Sequence, residues 1–170
     1  MTQLGIPLSV ASGFGQLEVV RLLLENGADV NIVCGKYGSA LATASYRGAA
    51  KIVHFLLENG ADINLTGGEY GSPLAAAAYM GNAEIGLLLL ENGADVNLVC
   101  GKYGSALATA SYRGATKIVC LLLENGADIN LVGGEYGSPL AAASYTGKAE
   151  ILLLLKNGAD ASVAAFWFEP

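Results

Sequence analysis

Leu-Leu-Leu-Glu-Asn-Gly-Ala-Asp, residues 22–29, decides the fold, because it returns. It stands again at 56–62 one leucine short, at 88–95 and at 121–128. Residues 153–160 repeat it with Lys156 in place of the glutamate. Its glycines are Gly27, Gly60, Gly93, Gly126 and Gly158, so the steps are 33, 33, 33 and 32 residues. A fixed period of that size marks a linear array of small stacked units. Three successive leucines make a helix apolar around much of its girth, and such a helix needs cover on more than one side. Asn-Gly ends it, since glycine takes the left-handed C-terminal position without steric cost. Ala-Asp-Val-Asn then reads as a turn whose short polar side chains bond local backbone. One unit cannot bury its leucines alone; a neighbour on each side can.

Each unit holds a second pattern before the leucines. Residues 35–38, Gly-Lys-Tyr-Gly, form a tight turn, Ser39 caps the next helix, and alanines run to Arg47. Gly48 breaks that helix, and residues 50–58 form the leucine-bearing one. The third unit opens with Gly67-Gly68-Glu69-Tyr70-Gly71, starts its helix at Ser72-Pro73, and carries an odd Gly86 in its second helix. Residues 4–15 already read as a unit missing its first residues; Pro7 opens its first helix, and residues 17–25 form its second. Residues 34–65 and 100–131 differ only at Ala50/Thr116, His54/Cys120 and Phe55/Leu121, and the fifth unit copies the third. A 66-residue block is therefore doubled inside the 33-residue period.

Composition narrows the function classes. The net charge is −6 with no basic cluster, which argues against nucleic acid and anionic membrane surfaces as partners. No apolar run approaches the ~18 residues of a membrane span, and no signal peptide is legible. Cys34 and Cys100 occupy the same place two repeats apart. Helices packed at ~8–10 Å would hold them on the order of 20 Å apart, beyond the ~7 Å reach of a disulfide. Reduced thiols and a cytoplasmic location are the expectation. Catalysis finds no support: the lone histidine, His54, lies on a leucine-rich helix and is replaced by Cys120 two repeats later. One histidine and scattered cysteines cannot supply four metal ligands. Gly35-Lys36 and Gly67-Gly68 lack the strand and spacing of a phosphate loop. No cofactor is expected, and the reading is not an enzyme.

Ser72-Pro73-Leu74-Ala75, Gly81, Glu84-Ile85, Leu88-Leu89-Leu90 and Gly93-Ala94-Asp95-Val96-Asn97 together resemble an ankyrin repeat. The resemblance covers essentially the whole chain. It implies an all-α repeat solenoid of about five helix-loop-helix units joined by β-hairpin-like fingers. The units would span about 1–33, 34–66, 67–99, 100–132 and 133–163, with a tail at 164–170. The Tyr-Gly-Ser-Ala-Leu wording is similar to repeats of fungal NACHT or NLR-type proteins. Three departures stand out. Ala42, Ala75, Ala108 and Ala141 replace the usual histidine, so its inter-repeat hydrogen bond is lost. The last unit is one residue short between Gly147 and Lys156, so that either its loop tightens or Glu150 and Ile151 shift around the helix. Asp160-Ala161-Ser162 replaces the Asp-Val-Asn turn and puts a regular final finger in doubt.

The resemblance also implies a protein-binding concave face of finger tips and first-helix ends. The tips offer Lys36, Tyr37, Glu69, Tyr70, Lys102, Tyr103, Glu135 and Tyr136. The helix ends offer Phe14, Tyr46, Arg47, Tyr79, Met80, Tyr112, Arg113, Tyr145 and Thr146. Tyrosine and arginine are favoured at binding hot spots, but repeated tyrosines also stack and seal an array; both readings stand at this level. The alternating tip charges are placed to pair between neighbours. Two functions follow: a protein-binding module, in one form the ligand-sensing end of an immune-type receptor, or a structural or designed scaffold without a specific partner. Phe166, Trp167 and Phe168 form an apolar group near the end, either folding back over residues 152–155 as a cap or joining copies end to end.

Overall fold

The structure, a computed structural model, describes residues 4–162. Ten helices follow one another among these residues: α1 (Gly5–Gly13), α2 (Leu17–Glu25), α3 (Ala40–Arg47), α4 (Ala50–Glu58), α5 (Pro73–Met80), α6 (Ala83–Glu91), α7 (Ala106–Arg113), α8 (Thr116–Glu124), α9 (Pro139–Thr146) and α10 (Glu150–Lys156). They form five antiparallel pairs stacked as an all-α solenoid, and four short fingers join the pairs. The aromatic group at 166–168 lies outside the described residues.

The local chemistry is regular. Ser39, Ser72, Ser105 and Ser138 accept at Oγ from the backbone N–H three residues on, at 3.0–3.2 Å. This satisfies a donor that the helix leaves without an internal partner. Each leucine-bearing helix ends as read: the Asn92 side chain donates to the Leu88 carbonyl at 2.8 Å, and Gly93 follows at φ +90°. α1 begins two residues ahead of the expected Pro7, which stays in the first turn, where its missing N–H is harmless.

First helices pack on first helices through fully buried alanines, among them Ala75, Ala76, Ala77 and Ala78. Side chains this small let neighbouring backbones approach closely. Leu41, Leu74, Leu107 and Leu140 share one buried apolar core with Leu56, Leu89, Leu122 and Leu154. The odd Gly86 has a packing reason. A Cβ there would stand 2.9 Å from Cδ1 of Ile118 on α8, so the glycine makes room for the neighbouring isoleucine.

The missing histidine does not leave the repeats without polar joints. The Asn31 side chain accepts from the Asp62 N–H at 2.7 Å and donates to the Gly60 carbonyl at 3.0 Å. Asn64, Asn97 and Asn130 accept in the same way from Asp95, Asp128 and Asp160 at 2.7–2.8 Å. Each aspartate meanwhile holds its own turn, as Asp29 Oδ1 does by accepting from the Asn31 N–H at 2.9 Å. The last turn keeps this form: the Ser162 hydroxyl donates to Asp160 at 2.7 Å and the Ser162 N–H at 2.8 Å, and together they hold its carboxyl below the usual carboxylate range.

The one-residue deletion in the fifth unit is absorbed at the start of α10. Counting back from buried Leu154, Glu150 takes the place that Ile118 holds in α8. Its side chain is 5% exposed, and the Thr116 hydroxyl donates to its carboxylate. Of the two outcomes read from the sequence, the shift around the helix is the one realised.

Candidate partner-binding face

The fingers are built by close backbone approach. Cys34 and Gly38 bridge, as do Gly67 and Gly71, Cys100 and Gly104, and Gly133 and Gly137. Successive tips are then tied by backbone hydrogen bonds: Glu69 N–H to Lys36 carbonyl, Lys102 to Glu69, and Glu135 to Lys102, each 2.8 Å. Gly104 shows why the position is glycine: it sits at φ +90°, and a Cβ would stand 2.4 Å from the Gly133 carbonyl oxygen of the next finger.

This spacing brings all eight tyrosines into one ladder. Finger rings stack on finger rings, Tyr37 on Tyr70 at 6.1 Å, Tyr70 on Tyr103 at 6.3 Å and Tyr103 on Tyr136 at 6.0 Å. The helix-end rings interleave: Tyr46 lies 4.4 Å from Tyr37, Tyr79 lies 4.4 Å from Tyr70, Tyr112 lies 4.7 Å from Tyr103 and Tyr145 lies 4.8 Å from Tyr136. Tyr70 and Tyr103 are only 2% and 3% exposed. Their expected role as contact residues is therefore corrected: both rings are core, covered by a finger on either side and by helix-end rings in front. Tyr37, Tyr46, Tyr79, Tyr112 and Tyr136 are half-buried, and Tyr145 is exposed. Burial pushes the Tyr70 and Tyr103 phenols well above the usual range, and burial beside Tyr112 and Tyr145 carries Tyr136 up to about 12.

The tip charges pair only inside each 66-residue block. Lys36 Nζ lies 3.2 Å from Glu69, and Lys102 Nζ lies 3.6 Å from Glu135. The hydrogen bond and charge of Glu69 raise the Lys36 pKa. Lys102 also lies 5.8 Å from the Tyr103 ring.

One line of side chains beside the ladder is different. Phe14, Arg47, Met80 and Arg113 follow one another at the 33-residue step and are exposed. Thr146 ends the line half-buried, its hydroxyl donating to the Ala142 and Ala143 carbonyls. Arg113 lies 4.5 Å over the Tyr79 ring and donates from Nε to the Tyr79 carbonyl at 3.0 Å. Arg47, in the same wording, instead lies 5.6 Å over its own Tyr46. The cause is Gly13, which stands where the preceding tyrosine would be. An apolar hollow opens there, lined by Ile6, Val10, Phe14, Cys34, Tyr37 and Arg47. Sequence reasoning passed over this hollow and the asparagine joints; Gly13 at a tyrosine position and the recurring Asp-x-Asn were the signals.

Elsewhere the surface carries little chemistry. His54 is exposed and lies 3.5 Å from Glu58 on its own helix. Among the described residues, no group of three or more His, Cys, Asp or Glu is placed to hold a metal, and no helix is long and apolar enough to cross a membrane. The three cysteines are free, and burial raises the Cys100 thiol pKa. A family model described as "Ankyrin repeats (3 copies)" matches residues 4–67 and 74–165. No curated protein matches the chain.

Proposed function

Because the chain belongs to the ankyrin repeat family, whose members are generally non-enzymatic protein-interaction modules, we propose that it binds a polypeptide partner through the line Phe14, Arg47, Met80, Arg113, Thr146 and the finger tips beside it. The observation that carries this reading is the contrast along one face. From the second repeat to the fifth the tyrosines recur unchanged and pack on one another, whereas the neighbouring position changes chemistry from each repeat to the next and is exposed at four of five. Exposed arginine, methionine and aromatic side chains on a rigid support are what interface centres favour. The test is capture of partners by the chain and by a triple variant, Arg47→Ala, Met80→Ala, Arg113→Ala. The reading requires a partner lost by the variant at unchanged melting temperature; equal capture by both overturns it.

A finer form of the proposal makes the array the ligand-sensing end of a larger cytoplasmic receptor of the NACHT or NLR type, on the strength of the Tyr-Gly-Ser-Ala-Leu wording. A specific observation favours a second reading. Residues 34–65 and 100–131 keep identical tips and Tyr-Arg ends and differ only in the second helix. That pattern suits a partner that is itself repetitive, or a regularised scaffold.

A further inference from the structure

The hollow beside Gly13 has an occupied counterpart inside the same molecule. Tyr79 sits between Tyr70 of its own repeat, 4.4 Å away, and Tyr103 of the next, 5.7 Å away, with Arg113 laid 4.5 Å over its ring. Move this constellation back by one 66-residue block. Tyr103 becomes Tyr37, Arg113 becomes Arg47, and Thr109 becomes Thr43, all of the same residue type. Tyr79 becomes Gly13. The receiving half of the joint is therefore present at residues 37, 43 and 47, and the inserted ring is missing. Ile6, Val10, Phe14 and Cys34 make most of the remaining lining apolar, with Ser9 and Lys36 as its polar members.

We propose that this hollow receives an aromatic side chain of a partner polypeptide, its ring packed on Tyr37 beneath Arg47. The site continues the interface that the chain makes between its own repeats, and that continuity selects the occupant. A ring is attracted by both the tyrosine face and the guanidinium. An aliphatic side chain supplies only apolar area. The inference rests on the protein-binding reading but is tested apart from it.

The probe is N-acetyl-L-tyrosinamide, titrated into the full chain and followed by backbone amide shifts, with N-acetyl-L-leucinamide as control. Saturable shifts at Gly13, Phe14, Gly35, Tyr37 and Arg47 are expected, with the leucine amide weaker by about tenfold. Gly13→Tyr should abolish binding, because the chain then fills its own hollow. A Cβ at residue 13 would stand 2.9 Å from Thr43 Cγ2, so the threonine must give by a few tenths of an ångström to admit it. If Gly13→Tyr does not fold, Arg47→Ala decides: binding should weaken several-fold, whereas Lys117→Ala, at an exposed position on α8, should leave it unchanged. Absence of saturable shifts, or equal binding of the leucine amide, overturns the proposal. So does the appearance of the same shifts on concentrating the protein alone, if Tyr145→Ser removes them, since the occupant is then a second copy. None of these failures bears on the triple variant of the exposed line, which tests the wider face.

Discussion

Asn97 holds Asp128 across a repeat boundary: the Asp128 N–H donates to Asn97 Oδ1 at 2.7 Å, 31 residues away in the chain. The same side chain donates to the Gly126 carbonyl at 3.2 Å. Each repeat thereby fixes the turn that starts the following finger. In a stacked array such nearest-neighbour terms largely set the cooperativity of folding.

Asn97→Ala should lower stability by about 1 kcal/mol, the usual net value of hydrogen bonds made in partial contact with water. Urea unfolding measures it. An unchanged midpoint would mean that water replaces the side chain without loss.

Gly104→Ala and Gly126→Ala separate backbone strain from crowding. Both glycines have left-handed angles, φ +90° and φ +83°, which alone disfavour alanine by about 1–2 kcal/mol. At Gly126 a Cβ would meet nothing within 4 Å, while at Gly104 it would meet the Gly133 backbone at 2.3 Å. Gly104→Ala should therefore be clearly the more destabilising in thermal melts. Equal melting temperatures would contradict the finger packing.

The tyrosine ladder makes stability fall in alkali. Tyr136 is pushed up to about 12, and Tyr70 and Tyr103 stand higher than normal, chiefly through burial. A raised folded-state value means that the native chain keeps protons which the unfolded chain releases near pH 10. The contribution is thus intact below about pH 10 and is lost as pH rises beyond it. Tyrosinate absorbance should show these phenols ionising after the others, together with unfolding. A single ionisation of all eight near pH 10 would mean that the rings are solvated.

Glu150→Leu should raise the melting temperature. The carboxylate occupies a buried position where α8 carries Ile118, and burying a charge opposes folding unless its partners compensate fully. For a chain of this size each kcal/mol gained appears as roughly 2–4 °C. A lower melting temperature would show that the hydrogen bond from Thr116 outweighs the desolvation.

The period, the helix pairs, the serine caps and the Asn-Gly stops were legible in the sequence, because each depends on residues a few positions apart. Bounds for α2, α3 and α4 agree with the reading for that reason. Environment was not legible. Tyr37 and Tyr103 stand in the same words, yet Tyr103 is core and Tyr37 is half-open at the edge of the ladder. Arg47 and Arg113 likewise share a sentence, but only Arg113 has a tyrosine before it to cover. A periodic sequence determines the inside of a unit. Burial, stacking and the hydrogen bonds of Asn31 or Asn97 belong to the joint between units. That joint depends on which neighbour lies on each side, and so only the tertiary stack decided it.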